Sequence, residues 1–401
     1  MTRSQSETSA PDKDRRSVLS PREGLRRIGF VGNSSAGLYL FRRGIISKLQ
    51  SLGFATVCVA PYDAMTPSLL ALGLEYHPID FSLYGTNPIA ELELYLRLRQ
   101  LYKRIRLDFV FHYTIKPNLY GTFAAYSLGI PSIAVVAGLG VFPDVPSPWL
   151  RIAIDAAYKR AARASREIWF LNQHDEGYFE GRGWLAEARS RVLVSEGVDL
   201  DYYAYRPLTA ATDRGRSTPV VLFAGRLLGR KGVRDFAATA QILQARGVPT
   251  DFRLLGRFEQ HNPDAITLAE VDHWSRAQIL TYVGATTDVR PYLADADVVV
   301  LPTTYREGVS RILLEAMATG RPIVTTDSVG AGELVEHGKS GFKVPPNDPG
   351  AIADALELYA AMSVAERERM GRYGRKICEE KYDERRVFTI YEEALYRYKP
   401  A

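Results

Sequence analysis

Cysteine and long apolar runs are the scarcest features of this chain. Two cysteines, Cys58 and Cys378, stand among 401 residues, far apart and in no metal-binding spacing. That excludes a disulfide framework and fits a reducing, cytoplasmic setting. No stretch reaches the roughly 20 consecutive apolar residues that a membrane-spanning helix needs. The first 24 residues have no apolar core, so they are not a secretory signal and are expected to be a disordered tail. The GxGxxG spacing of a dinucleotide site is missing, and so is an Asp-x-Asp at the carboxyl end of a strand. An excess of one charge sign is also lacking: 51 Lys and Arg against 46 Asp and Glu leave +5. That balance permits anionic partners without singling out nucleic acid.

What is present is the composition of a globular α/β protein, 46% hydrophobic and 24% charged, long enough for two domains. Apolar runs of strand length alternate with helical stripes. RIGFVGN, ATVCVA, DFVFHY, SIAVVAG, EIWFLN and RVLV form one series. After the polar stretch YRPLTAATDRGRST comes a second: PVVLFAG, DFRLLG, ILTYVG, DVVVLP, PIVTT and GFKVP. Repeated strand–helix alternation predicts parallel sheets with helices on both faces. The chain therefore divides into a tail (1–24), a first domain (25–205), a linker (206–218), a second domain (219–383) and a final helix (384–401). The helix over 91–106 has Leu94, Leu98, Leu101 and Ile105 as its buried stripe. Cys58, within ATVCVA, reads as a small core residue.

Four segments carry polar groups where a parallel sheet presents its ligands, at the carboxyl ends of strands. In Val298–Thr326 two apolar runs bracket a loop with Glu307 and a helix with Glu315, N-capped by Ser310 and ended by Gly320. The free N–H groups of Gly308, Val309, Ser310 and Arg311 can receive an anion. In LFAGRLLGRKG, Gly225 is followed by Arg226 and Lys231 in a short loop before a helix. Two cations there suit a diphosphate, with Arg230 a lesser candidate. The loop Gly32–Gly37, containing Asn33 and Ser34, joins a buried strand to a helix and is a ligand loop or a plain tight turn. His112 ends DFVF, where a neutral imidazole either donates to a sugar or is a satisfied strand-end histidine. Lys116 fits an anionic acceptor or open surface, and the loop AGLG at 137–140 is a candidate lining of the same cleft. Asp199 and Asp288 read as caps.

Glu307 and Glu315 form an E-x7-E pair within LPTTYREGVSRILLEAMATGRPIVTTD, and this resembles the donor motif of the family-4 retaining glycosyltransferases. LFAGRLLGRKG resembles their G-R-L-x(n)-K-G element, HYTIKPNLYGTFAA a segment of their glycan-assembly members, and GVDLDYY their turn before the linker. The resemblance spans nearly the whole chain after the tail. It implies the GT-B fold: two doubly wound Rossmann-like domains facing a cleft, with the C-terminal helix crossing back to the N-terminal domain. It also implies the roles. Glu307 would hold sugar hydroxyls and Glu315 the ribose. The backbone of Gly308, Val309 and Ser310 would lie against the diphosphate, with Arg226 and Lys231 stabilising the leaving group. The loop with Asn33 and Ser34 would face the donor. Gly256-Arg257 stands where the family has Gly-Asp or Gly-Glu, which puts the base contacts in doubt.

The activity implied is retaining transfer from a nucleotide-diphosphate sugar, UDP being the expected nucleotide, to a glycan or polyprenyl-diphosphate-linked sugar in surface polysaccharide synthesis. No cofactor or metal is expected, the cations taking the metal's place. Another GT-B reaction of the epimerase type, or a non-catalytic sugar-nucleotide-binding subunit, are the alternatives. Arg42, Arg43, Arg99, Lys103 and Arg106 on outer helix faces are either solvated or a contact to an anionic membrane surface, which would place the protein peripherally on the inner face of the cell membrane.

Overall fold

The computed structural model describes residues 27–81, 87–138, 148–185, 188–193, 195–209, 218–259, 262–305 and 308–398. Among these, seven strands build a first parallel sheet: β1 (Arg27–Val31), β2 (Ala55–Ala60), β3 (Glu75–Pro78), β4 (Phe109–Tyr113), β5 (Ser132–Val136), β6 (Glu167–Phe170) and β7 (Arg189–Val192). Their order is β3-β2-β1-β4-β5-β6-β7. Six more build a second: β8 (Val220–Ala224), β9 (Asp251–Leu255), β10 (Thr281–Tyr282), β11 (Val298–Leu301), β12 (Ile323–Thr326) and β13 (Gly341–Val344), in the order β10-β9-β8-β11-β12-β13. The central strands β4, β5, β8, β11 and β12 are buried along their whole length. Continuous apolar runs are what such strands require, because helices cover both faces. β3 was not expected. Its sequence EYHP has one strong apolar residue, and it pairs with β2 at the sheet edge, where little burial is demanded.

In each sheet the chain winds outward in one direction, then returns to the middle and winds in the other. The reversals fall between β1 and β4 and between β8 and β11. A crevice at the carboxyl ends of the strands opens at such switch points, because the following loops diverge to opposite faces. Four of the segments singled out in the sequence follow these four strands.

The outer helix Pro88–Ile105 shows how locally the sequence specifies its elements. Asn87 caps it, accepting from the Ile89 amide at 3.0 Å, and Pro88 occupies the first turn. Leu94, Leu98, Leu101 and Ile105 are buried, joined by Tyr102, and Arg106 ends the helix in the left-handed conformation. The final helix, Glu384–Arg397, crosses back to the first sheet as expected. Its Tyr391 hydroxyl hydrogen-bonds the Tyr113 hydroxyl at 2.9 Å, and Arg397 pairs with Glu167. Where that helix begins, Val198 donates to the Tyr382 carbonyl at 2.7 Å and Glu384 donates to Val198 at 3.2 Å. The outgoing and returning chains therefore cross between the sheets side by side.

Candidate active site

The loop after β8 is shaped by close approaches. Gly232 has φ +83°, and any side chain there would strike the Pro302 carbonyl. Gly256 lies against the Gly225 carbonyl in the same way. These contacts press the turn that carries Arg230 and Lys231 onto the segment following β11, so the Thr304 amide reaches the Arg230 carbonyl at 2.8 Å. The Arg226 guanidinium and the Lys231 ammonium then both face the ring of Tyr305, 5.7 and 5.4 Å from its centroid. The negative potential of the ring's π face attracts both cations.

The helix Arg311–Thr319 follows Tyr305 in the chain. Ser310 is its N-cap residue, as expected, but its hydroxyl makes no capping bond; Oγ is buried with no partner. A buried hydroxyl without a partner among the described residues, at a helix N-terminus, is an opening for an anionic oxygen. Gly320, at φ +82°, ends the helix. Glu307 lies outside the described residues. Glu315 is 6% exposed, and its Oε1 accepts from the Tyr203 hydroxyl at 2.7 Å and from Arg311 Nε at 2.9 Å. Arg311 also donates to the Gly197 carbonyl at 2.7 Å. Half of this carboxylate is thus committed to the inter-domain crossing, a commitment that the spacing E-x7-E does not disclose.

Across the seam, Gly308 meets the first domain. A methyl group on it would sit 2.8 Å from the Ala137 carbonyl oxygen, and its own carbonyl accepts from Asn172 Nδ2 at 3.2 Å. Ala137, the first residue of the AGLG loop, therefore does border the site, whereas 139–140 lie outside the described residues. Asn172 was missed. The available signal was a polar residue closing the strand run EIWFLN at the carboxyl edge.

The loop after β1 has part of its backbone committed to the fold. Gly32 donates to Val59, Ala36 to Asp63 Oδ2 at 2.9 Å, and Gly37 to the Ser34 hydroxyl at 3.0 Å. Ser34 is the helix cap, and Asp63 already supplies the negative charge that a helix N-terminus attracts. Asn33 and Ser34 are half-buried at the switch point.

Three expectations for the first domain change. His112 is fully buried, with hydrogen bonds between its two ring nitrogens and the hydroxyls of Tyr102 at 3.1 Å and Thr122 at 3.2 Å, one nitrogen donating and the other accepting. Burial pushes its pKa down to about 3. It is the satisfied strand-end histidine, and it braces the turn that follows. Lys116 pairs with Glu91 at 2.5 Å and does not stand open to an anion. Arg42 and Arg43 are not on an outer face. Arg42, 5% exposed, lies 3.9 Å over the Tyr113 ring and pairs with Glu196; Arg43 lies 3.6 Å over Tyr202 and pairs with Asp199. The crossing segments cover that side of the first helix, Ser35–Ser51. Arg99, Lys103 and Arg106 are exposed as expected. Asp199 and Asp288 cap turns, receiving the Tyr202 and Arg290 amides. Arg257 is exposed and pairs with Glu259. Among the described residues no group of three His, Cys, Asp or Glu side chains is placed to hold a metal ion.

Two doubly wound sheets with a terminal helix returning to the first constitute the GT-B architecture of glycosyltransferases. Residues 218–361 match the family described as glycosyl transferases group 1, and residues 27–172 the glycosyl transferase 4-like family. The chain belongs to the family-4 type of GT-B glycosyltransferases and is an enzyme of that class. It is 28% identical over 345 residues to the N,N'-diacetylbacillosaminyl-diphospho-undecaprenol alpha-1,3-N-acetylgalactosaminyltransferase of Campylobacter jejuni, spanning 83% of this chain and 89% of that one. It is 30% identical to the capsular polysaccharide biosynthesis glycosyltransferase CapM of Staphylococcus aureus, over 41% of this chain and 42% of that one. The solved structure of HepE from Anabaena in complex with UDP has the same fold, with TM-score 0.73 and 19% identity over 92% of this chain and all of that one.

Proposed function

We propose that this enzyme transfers a sugar, with retention, from a UDP-sugar to a glycan or a polyprenyl-diphosphate-linked sugar during surface polysaccharide assembly. The observation that carries the donor site is the convergence of Arg226 and Lys231 on the Tyr305 ring, in the loops that lead to a helix N-terminus whose Ser310 hydroxyl is unpartnered among the described residues. The diphosphate lies against Gly308, Val309 and Ser310, and the two cations offset the charge that grows on it as it leaves. Glu307 orients the sugar hydroxyls, and the oxygen of Glu315 not held by Tyr203 and Arg311 reaches the ribose. Gly225 and Gly256, in mutual contact, floor the site. Asn33 and Ser34 face the donor from the first domain. The acceptor hydroxyl bonds to the anomeric carbon on the face from which the diphosphate departs, and its proton passes to a diphosphate oxygen. The cations serve in place of a metal. UDP as nucleotide is supported by the HepE complex, and a lipid-linked acceptor by the name of the Campylobacter relative.

A lipid-linked acceptor suggests a peripheral position on the inner face of the membrane. The described residues contain no helix long and apolar enough to cross one. The outer helix Pro88–Ile105 leaves Ile89, Leu92 and Leu96 78%, 58% and 52% exposed, with Arg97, Arg99, Lys103 and Arg104 exposed beyond them. Apolar residues at i, i+3 and i+7 beside cations suit an anionic bilayer surface. Removing Arg99, Lys103 and Arg106 together should reduce sedimentation with anionic liposomes; unchanged sedimentation would retire the membrane face.

Calorimetry with UDP, GDP, ADP and their common sugars, with and without EDTA, tests the donor reading. Selective binding of one UDP-sugar, indifferent to EDTA, supports it. Binding that needs a divalent cation, or no nucleotide binding at all, refutes it.

A further inference from the structure

The turn after β4 contains polar atoms that none of the described residues satisfies. Thr114 ends the strand at φ +72°, a left-handed conformation that a β-branched residue adopts only when its surroundings impose it. Those surroundings are visible. The Thr114 carbonyl accepts from the Asn118 amide at 2.9 Å, His112 is locked on both ring nitrogens, and Pro117–Gly121 forms a π-helical turn. Turns of that kind recur at functional sites. Three side chains in and beside this turn are left with buried atoms that have no hydrogen-bond partner among the described residues. Thr114 Oγ1 is buried without a partner. Asn118 is 2% exposed; its Nδ2 donates to the Val135 carbonyl at 3.0 Å, and its Oδ1 is left unpaired. Glu91, at the start of the outer helix, gives one oxygen to Lys116; its Oε2 is buried with no hydrogen-bond partner, although the Tyr120 hydroxyl interacts with the same carboxylate.

We infer that Thr114, Asn118 and Glu91 form a subsite for the hydroxyl and acetamido N–H groups of the acceptor's sugar. This rests on the reading of the protein as a transferase that receives its acceptor in the first domain. The chemistry of the atoms selects the ligand. Asn118 Oδ1 and Glu91 Oε2 can only accept, and Thr114 Oγ1 can do either. A phosphate brings acceptors alone and could satisfy neither of the first two, and Lys116, the cation of the turn, is committed to Glu91. A sugar brings several donors at close spacing. The turn is also in the right place, at the carboxyl ends of β4 and β5 and next to the reversal between β1 and β4. Buried acceptors left unpaired by the fold are unfavourable until a ligand supplies the missing donors, which gives selectivity for a polyhydroxyl group over an apolar one.

The test uses the full chain, saturation-transfer NMR and methyl glycosides of glucose, galactose, N-acetylglucosamine and N-acetylgalactosamine, in the presence of UDP. At least one glycoside should bind the parent protein. Thr114→Val and Glu91→Gln should weaken it by about tenfold or more, the loss expected for one or two hydrogen bonds in a desolvated site. Their UDP affinity should be unchanged, and the Tm of Thr114→Val should hold or rise, because an unsatisfied hydroxyl has been removed. UDP binding with no glycoside signal, or equal signals in parent and variants, overturns the subsite and leaves the donor reading intact. A drop in Tm for Thr114→Val overturns it too, because the atoms then serve the fold through buried water. Failure of UDP to bind is a different result and strikes the transferase reading itself.

Discussion

Asn172 donates its side-chain amide to the Gly308 carbonyl at 3.2 Å, and so ties the end of β6 to the loop that precedes the helix Arg311–Thr319. The same residue caps the helix Gln173–Gly181 by accepting from the Asp175 amide at 2.8 Å. One side chain therefore terminates an element of the first domain and fixes the nucleotide-side loop of the second. Asn172→Ser retains a capping oxygen but cannot reach Gly308. Its stability should fall by about 1–3 kcal/mol by thermal melting, because the cap is kept but the Gly308 carbonyl and Asp175 Oδ2 lose their donor. UDP affinity by calorimetry should fall several-fold. Equal affinity would mean that the tie does not position the loop.

Lys231→Ala and Arg226→Ala should each weaken UDP binding by roughly 10- to 100-fold, the range of one charge-assisted contact. Transfer should fall further than binding, because charge on the diphosphate grows toward the transition state. Titration calorimetry beside single-turnover rates separates the two effects. A variant with unchanged affinity would put the diphosphate elsewhere.

The two glutamates of E-x7-E should behave differently. Glu307→Ala should abolish transfer and leave the melting curve unaltered. Glu315→Ala should lower stability even without ligand, by about 3–5 kcal/mol, because it leaves the buried Arg311 without its carboxylate. A stable Glu315→Ala variant would show that Gly197 and the nearby tyrosines suffice for Arg311.

His112 and Glu384 give stability opposite pH slopes. Burial holds the folded pKa of His112 near 3, below its ordinary 6.5. The unfolded chain therefore takes up the extra proton, and stability present above about 6.5 is lost as pH falls toward 3, at up to about 1.4 kcal/mol per pH unit. His112→Gln should lessen that acid loss. Glu384 is raised to about 7, chiefly by burial and then by Asp199. Here the folded chain holds the extra proton, so stability falls as pH rises from 4.5 to 7. Glu384→Gln should remove that fall and be favoured over the parent more at pH 8 than at pH 5. Urea melts at pH 5, 6.5 and 8 read both slopes. Because His112 is neutral throughout, its titration should leave no inflection in activity between pH 6 and 8.

Much of the architecture was legible because it is written in local patterns. Strand runs are apolar wherever helices cover both faces, helix stripes repeat with the turn, and Gly320 and Gly232 stand where the chain must adopt positive φ. The edge strand β3 escaped notice for the converse reason, since an edge asks little of its side chains. The E-x7-E and G-R-L-x(n)-K-G spacings were readable too, because a loop between a strand and a helix holds its polar groups at short range.

The amino-acid sequence by itself determined two alternating domains, the order of their elements and the positions at strand ends where chemistry can occur. Only the tertiary structure decided which polar residues are spent on the fold. Arg42 meets Glu196 and Tyr113 meets Tyr391 across 154 and 278 residues of chain. No periodicity within one helix can announce a cover that arrives from so far away. The same holds at the turn after β4. His112 and Lys116 looked reactive from their residue type, yet the chain packed around them satisfies both, and it leaves Thr114, Asn118 and Glu91 holding the unpaired atoms. Whether a polar group is free depends on which partners the fold brings to it, and that is settled by packing between distant segments.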